Sequence, residues 1–384
     1  MSAGGGFPGR PGNPDVVGRS NGPQHQEKPI NLGRARAWAW IDHLRHGGTT
    51  PWRDWTSADG SERSRFLPGA QQLELLRRLN LVGQPKQRLV ERVVAASAPG
   101  RGRPDLELVG VDAERRFGPP AVDPADLSDV ELLRVATGLI AEDLVAAGPP
   151  AEGVRRTRRF RTRYELAGDP WLAGGLTARL ITDGRPPGGG GRAVHVLGTD
   201  LPTMLAHTWA AGAFGAGAPS WLDFLARVRA RRRLPRRVEL HEVVQRFRAR
   251  PHTGRVGVVL DLAQLPGLVG VRRLEPVADI PAHATELARQ VGTALSLHVL
   301  PAQQAVLLTE VLRPRLASVT GALPVVPPEH QDWVEDAAFA LRQRLLRARY
   351  PVVGDPDVLL PDWSESPTGS VLALALELLT EEER

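Results

Sequence analysis

The sequence predicts an α/β protein: a three-layer arrangement with a mostly parallel sheet flanked by helices, preceded by a helical N-terminal region. Three observations predict it. Apolar residues recur at helical spacing through most of residues 31–148. Beyond residue 163, short apolar runs alternate with helical segments, the pattern of repeated β–α units. One of those runs, "RVGVVLDL" (255–262), is β-branched and unbroken, as expected of a strand covered on both faces. The chain has 384 residues, 42% of them hydrophobic, enough for two domains or one large α/β domain with additions.

The elements follow in chain order. Residues 1–29 are rich in Gly, Pro and polar residues, lack an apolar signal-peptide core, and are expected to form a disordered tail. Residues 30–150 read as a mainly helical region. "RARAWAWIDHLRH" (34–46) is a helix closed by Gly47 and Gly48. "GAQQLELLRRLNL" (69–81) is a second, and "PKQRLVERVVAA" (85–96) a third, with Pro85 in its first turn. Trp38, Trp40, Trp52 and Trp55 are expected packing anchors. "PDLELVGVD" (104–112) reads as a strand near 106–111. A long helix over 123–148 is entered through Asp or Ser caps and stopped by Gly148-Pro149-Pro150. Residues 151–163 carry six arginines and read as a linker.

The α/β region is expected over 164–362, with parallel strands near 164–167, 194–198 and 256–260. Helices start at Pro170 (capped by Asp169) and near Leu201, and two more cover 219–233 and 237–250. "GRPPGGGGR" (184–192) is a loop. Helices are expected over roughly 282–298, 302–317 and 328–349, and a closing helix near 369–382 lies in a C-terminal segment, 363–384.

Composition excludes several chemistries. No cysteine is present, hence no disulfide, thiolate nucleophile or Cys-ligated zinc. Lys28 and Lys86 are the only lysines, so the pI near 10.6 reflects arginine usage, and the net charge of +6 is modest for this length. Aromatic residues scarcely interleave the arginine run at 227–237, and no recognition helix is visible, so a nucleic-acid partner is not expected. That run reads as solvated surface or as a docking face for an acidic protein partner. No apolar run is long enough to span a membrane, and the expected location is cytoplasmic.

The strand-to-helix junction "AVHVLGTDLPTMLAHTW" (193–209) has the layout in which open α/β folds hold anions. Asp200, however, is placed to cap the helix and take the amide of Thr203, filling the site with negative charge. Gly168 and Asp169 repeat the arrangement one strand earlier. Thr199, Asp200, Gly168 and Asp169 are therefore the ligand-binding candidates, and His207, expected to be neutral near pH 7 unless a partner raises its pKa, is the catalytic one. His43 and His46 share a helical face beside Asp42 without a third ligand, so no metal site is expected. "GRPPGGGGR" precedes a strand, and "GAFGAG" (212–217) ends a helix, so neither is a phosphate loop. His-Glu-x-x-His, Gly-x-Ser-x-Gly and a clear triad are absent.

Two stretches resemble a known family. The segment from Val194 to Asp261 is similar to the second half of sulfotransferase-like proteins common in actinobacteria, with Asp200, Leu201, Leu205 and Trp209 in register. The closing segment resembles that family's last helix and its "Y-x-V-x-G-D-x-x-x-L-x-P" ending, through Trp333, Tyr350, Gly354, Asp355, Leu359 and Pro361. The resemblance covers about residues 190–361. It implies a group transferase, with 3′-phosphoadenylyl sulfate as cofactor and a small-molecule or glycan acceptor, in cell-envelope polysaccharide metabolism as in some relatives. The departures imply a degenerate donor site. No phosphosulfate loop follows a strand, since "GGTTPW" (47–52) follows a helix, and Thr199 stands where the family's phosphate-holding arginine falls. The alternative is a non-catalytic binding or scaffold protein that docks acidic partners through its arginine-rich surfaces.

Overall fold

The computed structural model describes residues 32–61, 66–96, 105–111, 121–149, 163–215, 217–363 and 369–381. The expectations for the tail (1–29) and for nearly all of the linker (151–163) fall outside them.

Helices α1 (Leu32–Arg45), α2 (Ala70–Val82), α3 (Gln87–Ala95) and α4 (Asp129–Ala147) form the N-terminal region. Trp38, Trp40 and Trp52 are buried there, Trp55 partly so, and the Trp40 and Trp52 rings lie 5.3 Å apart. A strand over 106–111 is not formed: Leu108 makes one isolated parallel bridge to Val122, and the chain turns at Gly110 (φ +76°) before a ladder can extend. Pro85 lies just outside α3, whose N-cap is Lys86.

Four parallel strands form the sheet, in the order β1 (Tyr164–Gly168), β2 (Arg192–Leu197), β3 (Thr253–Val259) and β4 (Val352–Val353). Between β1 and β2 runs α5 (Pro170–Thr182). Between β2 and β3 run α6 (Leu201–Ala213), α7 (Trp221–Arg231) and α8 (Leu240–Arg248). After β3 come α9 (Leu265–Val269), α10 (Ala282–Leu295), α11 (Pro301–Val306), α12 (Arg313–Arg315) and α13 (Pro328–Leu346). The last helix is α14 (Val371–Glu381). The helix expected over 302–317 is interrupted by a π-helical stretch, Leu307–Leu312, just before Pro314, which lacks the amide a regular ladder needs.

Strand alternation divides the core. Val194, Val196, Val256 and Val258 face α6, α7, α8 and α13. Tyr164, Leu197 and Val259 face α5 and α9. A third cluster is helical: α14 and α10 pack with α1–α4, so the end of the chain completes the core begun by its N-terminal helices. Among the described residues no helix is long and apolar enough to cross a membrane.

Candidate functional site

The carboxyl ends of β1 and β2 bring the sequence candidates together, at the edge where open α/β sheets bind ligands. Gly168 (φ +90°) turns the chain out of β1 so close to β2 that a Cβ would sit 2.2 Å from the Leu197 carbonyl oxygen. The next amide, of Asp169, donates to that same oxygen at 2.9 Å.

Asp169 is fully buried, and both carboxylate oxygens are engaged. Oδ1 accepts the amides of Trp171 (2.9 Å) and Leu172 (3.0 Å), closing the N-terminus of α5. Oδ2 lies 2.7 Å from Nδ1 of His207 on α6. The other ring nitrogen, Nε2, lies 3.0 Å from Oδ1 of Asp279, in the segment before α10. Only 1% of the His207 side chain is exposed. Burial opposes its charge, but the bonds to Asp169 and Asp279 and their negative charge outweigh burial, and the pKa is pushed up to about 9. His207 is thus a buried imidazolium at neutral pH, the case the sequence left open for a ring whose partners raise its pKa. With both nitrogens donating to carboxylates, it has none left to act as base towards a substrate.

The junction after β2 is closed in the same way. Asp200 Oδ1 accepts the Thr203 amide at 2.9 Å, as expected, and Oδ2 accepts the Thr199 hydroxyl at 2.9 Å. Of the 227–237 arginine run, Arg229 donates to the Glu329 carbonyl and Arg233 pairs with Glu242, neither of them at this turn. The strands β3 and β4 end likewise. Asp261 accepts the Ala263 amide at 3.0 Å and Asp355 the Asp357 amide at 2.9 Å. All four strands of the sheet therefore end in an aspartate that satisfies the backbone following it. An incoming phosphate meets carboxylates where it needs free amides and positive potential.

Sequence reasoning missed Asp279, Asp261 and the structural use of Asp355. The strand-end aspartates share a repeated punctuation, an apolar run followed by Asp with Pro close behind, in "AGDP" (167–170), "GTDLP" (198–202) and "GDP" (354–356), with "LDL" (260–262) lacking the proline, whereas Asp279 carries no such signal. The other motifs are structural. His43 stacks on Trp55 at 4.5 Å between ring centroids and meets the Thr50 hydroxyl, while His46 Nδ1 lies 2.7 Å from the Asp42 carbonyl oxygen. Among the described residues no group of His, Asp and Glu could hold a metal ion. Comparison with protein-family models, with curated proteins and with solved structures finds no match to this chain.

Proposed function

We propose that this chain is a non-catalytic binding or scaffold protein, which keeps a sulfotransferase-like sheet without the donor chemistry and docks an acidic protein partner through its arginine surface. One juxtaposition carries this reading. The strand ends that would hold a donor phosphate carry carboxylates, while a cluster of five arginines sits on the exposed surface around α7. Arg227, Arg231, Arg232, Arg236 and Arg237 are exposed, and their guanidinium groups have no partner among the described residues. Cations gathered at a helix C-terminus suit the macrodipole, but five unpaired ones raise the local potential beyond what capping needs.

The transferase alternative requires a cation near Thr199, where the resemblance places the phosphate-holding arginine. It also requires a ring nitrogen or hydroxyl free to move a proton. His207 has no free nitrogen, and the neighbouring Thr208 hydroxyl donates to the Met204 carbonyl at 2.8 Å.

Polyglutamate binding measured against salt tests the docking surface. Binding is expected to weaken steeply as ionic strength rises, and to fall at least tenfold when Arg231, Arg232, Arg236 and Arg237 are replaced by Gln. Polyglutamate binding that ignores these substitutions would overturn the proposal, as would tighter binding of duplex DNA at the same salt.

A further inference from the structure

Between Gly270, which ends α9, and Ala282, which begins α10, the chain crosses α5 without regular secondary structure. Its burial repeats every third residue. Val271, Leu274 and Val277 are half-buried and Ile280 is buried, with two exposed residues between each. This is the period of an extended, polyproline-like strap. The first three pack on the α5 face of the sheet and Ile280 enters the helical core. Val277 sits on Gly175, where a Cβ would lie 2.7 Å from both valine methyls, so the glycine makes room for the strap.

Against the strap lies a pocket of about 230 Å³, partly open to solvent, at the carboxyl end of the sheet. Leu172 and Leu176 of α5, Leu262 and Leu265, and Leu274 and Val277 of the strap line it. The one charged lining residue, Glu275, is 3.4 Å from Arg273. Among the described residues no hydrogen bond holds the backbone of 272–277. The strap is fastened beyond it, where the Trp171 indole donates to the Ala278 carbonyl at 3.1 Å and His207 donates to Asp279 at 3.0 Å.

We infer that this cavity binds a small uncharged aliphatic group, and that the strap is the lid that admits it, latched at Ala278 and Asp279. The lining decides the chemistry. It offers aliphatic side chains and no free cation, and Asp261 at the neighbouring strand end disfavours an anionic head. A 150 Å³ apolar cavity holds benzene; on that scale about 230 Å³ holds roughly eight or nine carbon atoms. A medium-chain alcohol or the alkyl end of an ester fits, whereas the carboxylate of a fatty acid does not. The backbone free of hydrogen bonds gives the lid its freedom, since opening over 272–277 breaks apolar contacts alone.

Calorimetry of the full chain with 1-octanol and with octanoate at pH 7 tests the site. Saturable 1:1 binding of octanol is expected, with octanoate at least tenfold weaker. Ala263 is exposed and lies at the cavity wall, so Ala263→Trp blocks the site with little risk to folding, and Leu176→Trp fills it from within. Each substitution should abolish octanol binding. In stopped flow, Asp279→Asn should raise the octanol association rate several-fold by loosening the latch. Absence of octanol binding to the natural chain would overturn the site, as would binding that survives Ala263→Trp in a folded variant. An association rate unchanged in Asp279→Asn would overturn the lid.

Discussion

The imidazole of His207 lies 2.7 Å from the carboxylate of Asp169, and neither side chain is exposed by more than 1%. This pair joins α6 to the turn after β1, and through Asp279 it also ties the strap that covers α5. A charged pair is costly to bury unless its hydrogen bonds are complete. Here they are: the carboxylate also accepts two helix amides, and the imidazolium donates from both nitrogens.

The first prediction concerns pH. The folded chain holds the His207 proton to about pH 9, against 6.5 for the ordinary ring. The stabilisation is therefore fully present below about pH 6.5 and declines as pH rises, until it is gone above about pH 9. With the water-exposed Asp279 side discounted, the difference amounts to about 2–3 kcal/mol. Urea unfolding between pH 6 and pH 10 should show this decline, and His207→Gln should flatten it. An equal slope in the variant would refute the assignment.

The two carboxylates should not be equivalent. Asp169→Asn keeps the helix cap but leaves the imidazolium without its buried counter-charge, and should cost about 3 kcal/mol. Asp279 is 54% exposed and its contact is screened, so Asp279→Asn should cost no more than about 1 kcal/mol. Chemical denaturation of both variants at pH 7 checks the order.

Asp200 is a simpler cap. Its removal in Asp200→Ala frees the Thr203 amide and the Thr199 hydroxyl, and should lower stability by about 1 kcal/mol. A loss below about 0.3 kcal/mol would mean that water replaces the cap without cost.

Gly168→Ala should be far more damaging than the loss of the Asp200 cap. The backbone there is at φ +90° and the new Cβ would collide with the Leu197 carbonyl, so the loss should reach at least about 3 kcal/mol. Thermal unfolding of this single variant measures how tightly β1 and β2 are joined at their ends.

Much of this layout was legible from the residues. β1, β2 and β3 appear as short apolar runs, and Asp169 and Asp200 as caps, because both signals are local. β4 escaped because two residues carry no period. Val352 and Val353 are held by neighbouring backbone, with Val258 donating to the Pro351 carbonyl and Leu260 to that of Val353. "LELVGV" misled because an apolar run does not reveal whether a partner strand exists. The strap escaped because a period of three fits neither the helix nor the strand template. The charge on His207 could not be read either, since its partners lie 38 and 72 residues away in the chain. Only the fold brings those three side chains together.

The chain's own aspartates cap the turns at which the resemblance would place a donor nucleotide's phosphate. Calorimetry with 3′,5′-adenosine diphosphate tests this most directly. No detectable heat of binding to the natural chain is expected, and weak but measurable binding to Thr199→Arg, which restores a cation at the turn after β2. Micromolar binding to the natural chain that disappears when the arginines of 227–237 are replaced would refute the degenerate donor site and return the chain to the transferases.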